Sequence, residues 1–312
     1  MNPPLQHDAE TTSHDLSEQT SRTALVLGGG GSAGNAWLIG VIAGLCEAGL
    51  DVTDADLIIG TSAGSTAAAQ ITSTTPAELL AAILAASPQP GSPAGSGRGP
   101  VPARPATNHM ETTSAIIAAA EDAADMRRRM GAWALTTDAA SDESAQARWR
   151  ATVAARLPSQ RWPKRRLLVT AVDARTGEPV VFDRGSGVDL VDAVAASCSS
   201  GFAYSIGGSR YIDGGYRSNA DNADLAAGYA RVLVLSPFGG RSRTPVDWGT
   251  HLATQVDGLR ARGSRVETIF PDSSSLAAFG DTMMDLSARA PAARAGYDQG
   301  RALAGQLAEF WR

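Results

Sequence analysis

The chain is poor in several things at once. It has one lysine, Lys164, in 312 residues, and its other basic side chains are arginines, a bias that reads as genomic base composition. Its net charge of -5 leaves no electrostatic footprint for nucleic acid. Its two cysteines, Cys46 and Cys198, sit in apolar stretches that read as helical, so no disulfide framework is expected and a reducing, cytoplasmic setting fits better. No apolar run is long enough to span a bilayer: the longest covers residues 36–45. Residues 1–22 are polar and acidic without the apolar stretch of a signal peptide, and they read as a disordered tail. Any lipid would be met from the water side. Histidine is scarce too, which narrows the choice of catalytic bases. Of the four, His7 and His14 lie in the tail, His109 follows a Pro/Gly/Ser-rich stretch, and only His251 falls in ordered-looking sequence.

What remains is ordinary globular material, 43% hydrophobic and 19% charged, long enough for one large domain or two small ones. Residues 23–71 alternate strand, glycine loop, helix, strand, sharp turn and helix, the pattern of an α/β fold. The helix after the glycine loop is apolar on most sides and is expected to be buried. A helix follows from Pro76 to Ala86, then a flexible insertion at 87–106, then helical, lid-like sequence over about 107–157. Strands return at 167–172 and 180–182, followed by a helix near 188–196, a hairpin-like stretch from Ser205 to Asn219, buried strands at 231–235 and 265–270, and a final helix over 292–311.

Two stretches carry chemistry. Leu57-Ile58-Ile59 runs into Gly60-Thr61-Ser62-Ala63-Gly64, a strand ending in G-x-S-x-G, the pattern of a turn that lifts a serine hydroxyl above a sheet. Leu25-Val26-Leu27 runs into Gly28-Gly29-Gly30-Gly31-Ser32-Ala33-Gly34, whose backbone N–H groups at Gly29, Gly30 and Gly31 can stabilise an oxyanion. In so glycine-rich a chain the motif alone is weak, and Ser32 also fits it; Ser62 is preferred because a helix of small residues begins directly after it. The glycine loop formally matches a dinucleotide fingerprint as well. The acid expected at the end of the next strand is missing, which disfavours nucleotide binding.

A serine needs a base. His251 is placed on a polar helix rather than a loop after a strand, which makes it a poor candidate. Asp213, in Tyr211-Ile212-Asp213-Gly214-Gly215, is the better one, although an isolated Asp-Gly-Gly more often marks a hairpin turn. Taken together, the glycine loop, Gly-Thr-Ser-Ala-Gly and the segment Asp213-Gly214-Gly215-Tyr216-Arg217-Ser218 through Asn222-Ala223-Asp224-Leu225-Ala226 resemble the patatin-like phospholipases. The resemblance extends over about 23–300, excluding the insertion and including 270–280, and implies a single domain over 23–312. It implies a three-layer α/β/α fold with a central, mostly parallel sheet, and a serine acyl hydrolase with a Ser62–Asp213 dyad. It further implies Gly29, Gly30 and Gly31 as oxyanion donors, with Gly28, Gly34, Gly60, Gly64, Gly214 and Gly215 supporting the turns. No metal or cofactor is implied. The implied partner is a lipid acyl ester, with peripheral membrane contact and oligomeric state left open. A catalytically silent lipid- or protein-binding relative is the alternative. Two departures bear on it: Ala33, where the family commonly carries Arg or Lys, and Ser200, where it often has proline. Arg127, Arg128 and Arg129 read as a solvated helix face, with docking on anionic headgroups as the minority reading.

Overall fold

The computed structural model describes residues 22–86 and 106–312. Eight strands are found there: β1 (Thr23–Leu27), β2 (Leu57–Gly60), β3 (Arg166–Asp173), β4 (Pro179–Phe182), β5 (Tyr204–Ile206), β6 (Ser209–Asp213), β7 (Arg231–Leu235) and β8 (Arg265–Ile269). The first helices are α1 (Gly31–Glu47), α2 (Ala63–Ile71), α3 (Pro76–Ala85), α4 (Ala106–Ala119), α5 (Ala123–Leu135), α6 (Asp138–Ser141) and α7 (Glu143–Ala154). They are followed by α8 (Leu190–Ser197), α9 (Leu252–Ala261), α10 (Ser273–Phe279) and α11 (Arg289–Trp311).

All strands join one sheet in the order β5-β6-β3-β2-β1-β7-β8, with β4 paired to β3. The run from β3 to β8 is parallel, while β4, β5 and β6 form an antiparallel margin. The central strands read as unbroken apolar runs because both faces are covered. Leu25 and Leu27 of β1 face one hydrophobic cluster, with Ile58, Val169, Leu233 and residues of α1, α2, α8 and α11. Ala24 and Val26 face a second, with Leu57, Ile59, Val234 and Leu252, Val256 and Leu259 of α9. A third, beneath α4, α5 and α6, gathers Met126, Met130 and Ala134 against Val172 and Ile212. This is the three-layer α/β/α arrangement with a central, mostly parallel sheet. β8, at the end of the sheet, is only half buried rather than buried throughout.

α1 is buried from Ala33 to Leu45 and has no polar face, as its composition predicts. It lies backbone to backbone on α11: methyl groups at Gly40 or Gly44 would overlap the carbonyls of Ala293 or Tyr297, and one at Gly300 that of Val41. α3 begins at Pro76 behind a capping box, with Thr75 Oγ1 accepting from the Glu78 amide and Glu78 Oε2 accepting from the Thr75 amide. The expected tail and insertion, apart from Arg22 and Ala106, lie outside the described residues. No helix among the described residues is long and apolar enough to cross a membrane, and both thiols are free.

Candidate active site

β2 ends at Gly60 and the chain turns within three residues into α2. Ser62, at the apex, has φ 52° and ψ −120°, a conformation an L-residue adopts only when its surroundings enforce it. The enforcement is close packing. A methyl at Gly64 would overlap the Leu27 carbonyl, and one at Gly60 would press on the Ser65 backbone, so the two flanking glycines let the turn sit directly against β1 and α2. The Ser62 amide donates to Ser197 Oγ at 2.9 Å.

β3 is the shared template that brings the acid to the serine. Gly60 pairs with Val169, and Asp213, closing β6, pairs with Ala171 two residues further on. The turn of the β5–β6 hairpin is Gly207-Gly208, so Asp213-Gly214-Gly215 is not a hairpin turn: it is a strand end followed by the 3-10 turn Gly214–Tyr216. Ser62 Oγ donates to Asp213 Oδ2 at 2.9 Å, and the Gly215 amide donates to Oδ1 at 2.8 Å.

A family model described as "Patatin-like phospholipase" matches residues 25–226, nearly two thirds of the chain, and takes in both Ser62 and Asp213. The chain belongs to the patatin-like phospholipase family. It is accordingly an ester hydrolase by family, and its general activity is that of a lipid acyl hydrolase. Among solved structures it is similar to the crystal structure of VipD from Legionella pneumophila, at 12% identity over 92% of this chain and 67% of that chain, with a TM-score of 0.44. No curated protein matches it.

Asp213 is 6% exposed, and burial pushes its carboxyl pKa up to about 6, against the opposing pull of the Gly215 and Ser62 hydrogen bonds. The site's polar backing joins Thr170, which no motif marked, to Thr61 and Asn222, which lie in the motif segments but had no role read from sequence. Asn222 Nδ2 donates to Thr61 Oγ1 and to the Gly214 carbonyl, each at 3.0 Å, and Thr61 Oγ1 lies 3.0 Å from Thr170 Oγ1. Asn222 has φ 55°, a left-handed conformation that asparagine tolerates better than most residues. Arg217 fixes this segment, donating to Asn222 Oδ1 and bidentately to Asp224.

The glycine loop abuts the serine: a Cβ on Gly29 would stand 3.5 Å from the Ser62 Cβ. One expected donor is already engaged, however, since the Gly29 amide donates to the Ala220 carbonyl at 2.8 Å. The amides of Gly30 and Gly31 meet no acceptor among the described residues. Behind the loop lies Asp221, a buried acid whose Oδ1 is without a hydrogen-bond partner and whose pKa burial raises to about 7; a methyl on Gly28 would overlap that oxygen.

The other candidates lie in different settings. Ser32 Oγ is 3.5 Å from the Arg289 guanidinium. His251 Nε2 is 2.8 Å from the Thr244 carbonyl, a contact it makes only as donor. His109 packs against Trp133 with the two rings tilted at 47°, and burial lowers its pKa. Arg128 and Arg129 pair with Asp125 on the exposed face, as expected. Arg127 departs from that expectation: its Nε donates to the Gly177 carbonyl and its Nη1 to that of Arg217, tying α5 to the sheet margin. Ala33 is fully buried and Ser200 is exposed, its carbonyl accepting from the Tyr216 hydroxyl.

Proposed function

We propose that the chain is a serine lipid acyl hydrolase that cleaves acyl esters of phospholipids or lysophospholipids through a Ser62–Asp213 dyad. The observation that carries this is the 2.9 Å hydrogen bond from Ser62 Oγ to a buried carboxylate made more basic than an ordinary aspartate. At neutral pH, Asp213 is ionised yet a better base than a solvated carboxylate. It takes the Ser62 hydroxyl proton as Oγ attacks the ester carbonyl. The tetrahedral intermediate's oxyanion is held by the Gly30 and Gly31 amides, with the N-terminal end of α2 adding its partial positive charge. The intermediate collapses to an acyl-enzyme, the departing alcohol receiving the proton from Asp213. Asp213 then draws a proton from water, the resulting hydroxide attacks the acyl carbonyl, and Ser62 leaves with its proton restored. Gly29, its own amide engaged, serves by leaving room for this approach. The setting we assign is the cytoplasm, with lipid met from the water side.

The test is hydrolysis of p-nitrophenyl esters from acetate to palmitate by the wild type and by Ser62→Ala, Asp213→Asn and Ser32→Ala. The proposal expects loss of activity in the first two variants and retention in the third. No turnover of any ester by folded wild type would replace it with the catalytically silent binding protein, a reading to which the Ala33 and Ser200 departures lend weight.

A further inference from the structure

Arg289, at the start of α11, is half buried, and no carboxylate lies within ion-pairing distance of it among the described residues. A half-buried guanidinium normally keeps an anion beside it. Here Nη1 donates only to neutral oxygens, the Ser32 carbonyl at 3.1 Å, Asn35 Oδ1 at 3.2 Å and Ser32 Oγ at 3.5 Å, while Nε and Nη2 meet no acceptor among the described residues. The position matters. Ser32 follows the two free amides of the glycine loop, and Asn35 Nδ2 reaches 3.4 Å to the carbonyl of Ala63, the residue after Ser62. Arg289 is thus one side chain removed from both halves of the site.

A second cation stands near it. Arg156 is exposed, has no carboxylate partner among the described residues, and rests over the Trp149 ring at 5.6 Å. Its backbone carbonyl accepts from Gln70 Nε2, and Gln70 Oε1 accepts from the same Asn35 that holds Arg289. Its charge acts on Arg289 and on Cys198, which touches Ser65 and Thr66 in the first turn of α2. Two cations without carboxylate partners, linked through Gln70 and Asn35 to the turn that carries Ser62 and with the N-terminus of α1 adding to their field, attract an anion. The loop 28–34 itself carries no charged side chain.

Building on the acyl-hydrolase reading, we propose that Arg289 and Arg156 form a phosphate subsite that recognises the anionic headgroup of the acyl ester bound at Ser62. The free Nε–Nη2 edge of Arg289 takes two phosphate oxygens in fork geometry, and Arg156 supplies a second, more exposed charge.

The experiment measures binding of 1-palmitoyl lysophosphatidate, 1-palmitoylglycerol and inorganic phosphate to the Ser62→Ala protein, below micelle-forming concentrations, alone and combined with Arg289→Gln or Arg156→Gln. The expected result is a preference for lysophosphatidate over palmitoylglycerol of about tenfold to a hundredfold, the worth of a charge-assisted hydrogen-bonded pair. Arg289→Gln should abolish that preference and Arg156→Gln should reduce it. Equal affinity for the two lipids, or a preference that survives both substitutions, overturns the proposal. Inorganic phosphate that binds through Arg289 while the two lipids bind equally also overturns it, in favour of a free-phosphate site. A loop-holding role for Arg289 alone would lower the affinity for both lipids together. Because the protein used cannot turn over, the subsite is judged apart from the chemistry; wild type that binds lysophosphatidate as expected but hydrolyses no ester would remove the hydrolase reading instead.

Discussion

Asp213→Asn should abolish activity and stabilise the fold, and the stabilisation should depend on pH. In the folded protein the Asp213 pKa is raised by burial from its ordinary 3.8 to about 6, so the native state holds this proton more tightly than the unfolded chain does. The neutral acid's contribution to stability is therefore fully present below pH 4 and is lost as the pH rises through 6. One pKa step is worth about 1.4 kcal/mol, so the ionised carboxylate costs about 3 kcal/mol at pH 8. Asparagine is an isostere that fits the same contacts: its carbonyl oxygen can accept from the Gly215 amide, and its amide can donate to Ser62 Oγ. The measurement is Tm of wild type and variant between pH 4 and pH 8. The two proteins should differ least at pH 4 and most at pH 8, where the variant gains about 6 °C at roughly 2 °C per kcal/mol for a domain of this size. Other buried acids, Asp221 among them, are common to both proteins and cancel. A difference that is flat with pH, or a variant less stable at pH 8, would refute the account of Asp213 as a destabilised, desolvated base.

Three further outcomes are expected. The kcat/KM profile should fall on the acid side with an apparent pKa near 6 as Asp213 takes up its proton; the limb should persist in Asp221→Asn, and its loss there would assign it to the other acid. Asn222→Ala removes the donor to Thr61 and Gly214 and leaves alanine in a left-handed conformation, so denaturant unfolding should show a loss of about 2–4 kcal/mol, with kcat lowered more than KM. On α11, Gly300→Ala forces a methyl against the Val41 carbonyl and should cost about 1–3 kcal/mol. Gly305→Ala on the same helix faces open space and should stabilise by about 0.5–1 kcal/mol; equal effects at the two positions would contradict the close packing of α1 on α11.

Much of the fold was legible because the physics that makes it is local. Leu25-Val26-Leu27 and Leu57-Ile58-Ile59 are apolar on consecutive residues, which fits strands covered on both faces, and glycines end both runs. Ser62 was legible for the same reason: the strand, the turn and the small-residue helix are contiguous. Asp213 could be singled out but not placed, since its position depends on the register of β6 on β3, a pairing that local sequence does not encode. Thr61, Thr170, Ser197 and Asn222 lie as far as 161 residues apart in sequence and meet only through that topology. The engagement of the Gly29 amide by Ala220 is of the same kind. So is the seating of Gly40 and Gly44 on the Ala293 and Tyr297 carbonyls, since their spacing of four marks a helix contact only once the partner is known. Arg127 read as solvated from its acidic neighbours, and what decided its fate was the Gly177 and Arg217 carbonyls brought to it by the sheet margin.

The central claim is that Ser62, activated by Asp213, is the nucleophile. Its most direct test is covalent labelling with an alkyl fluorophosphonate at pH 8, followed by peptide mass analysis. The account predicts a single phosphonyl adduct on the peptide that carries Ser62. An adduct on Ser32 with Ser62 unmodified, or an unlabelled Ser62 in protein that still hydrolyses esters, would contradict it.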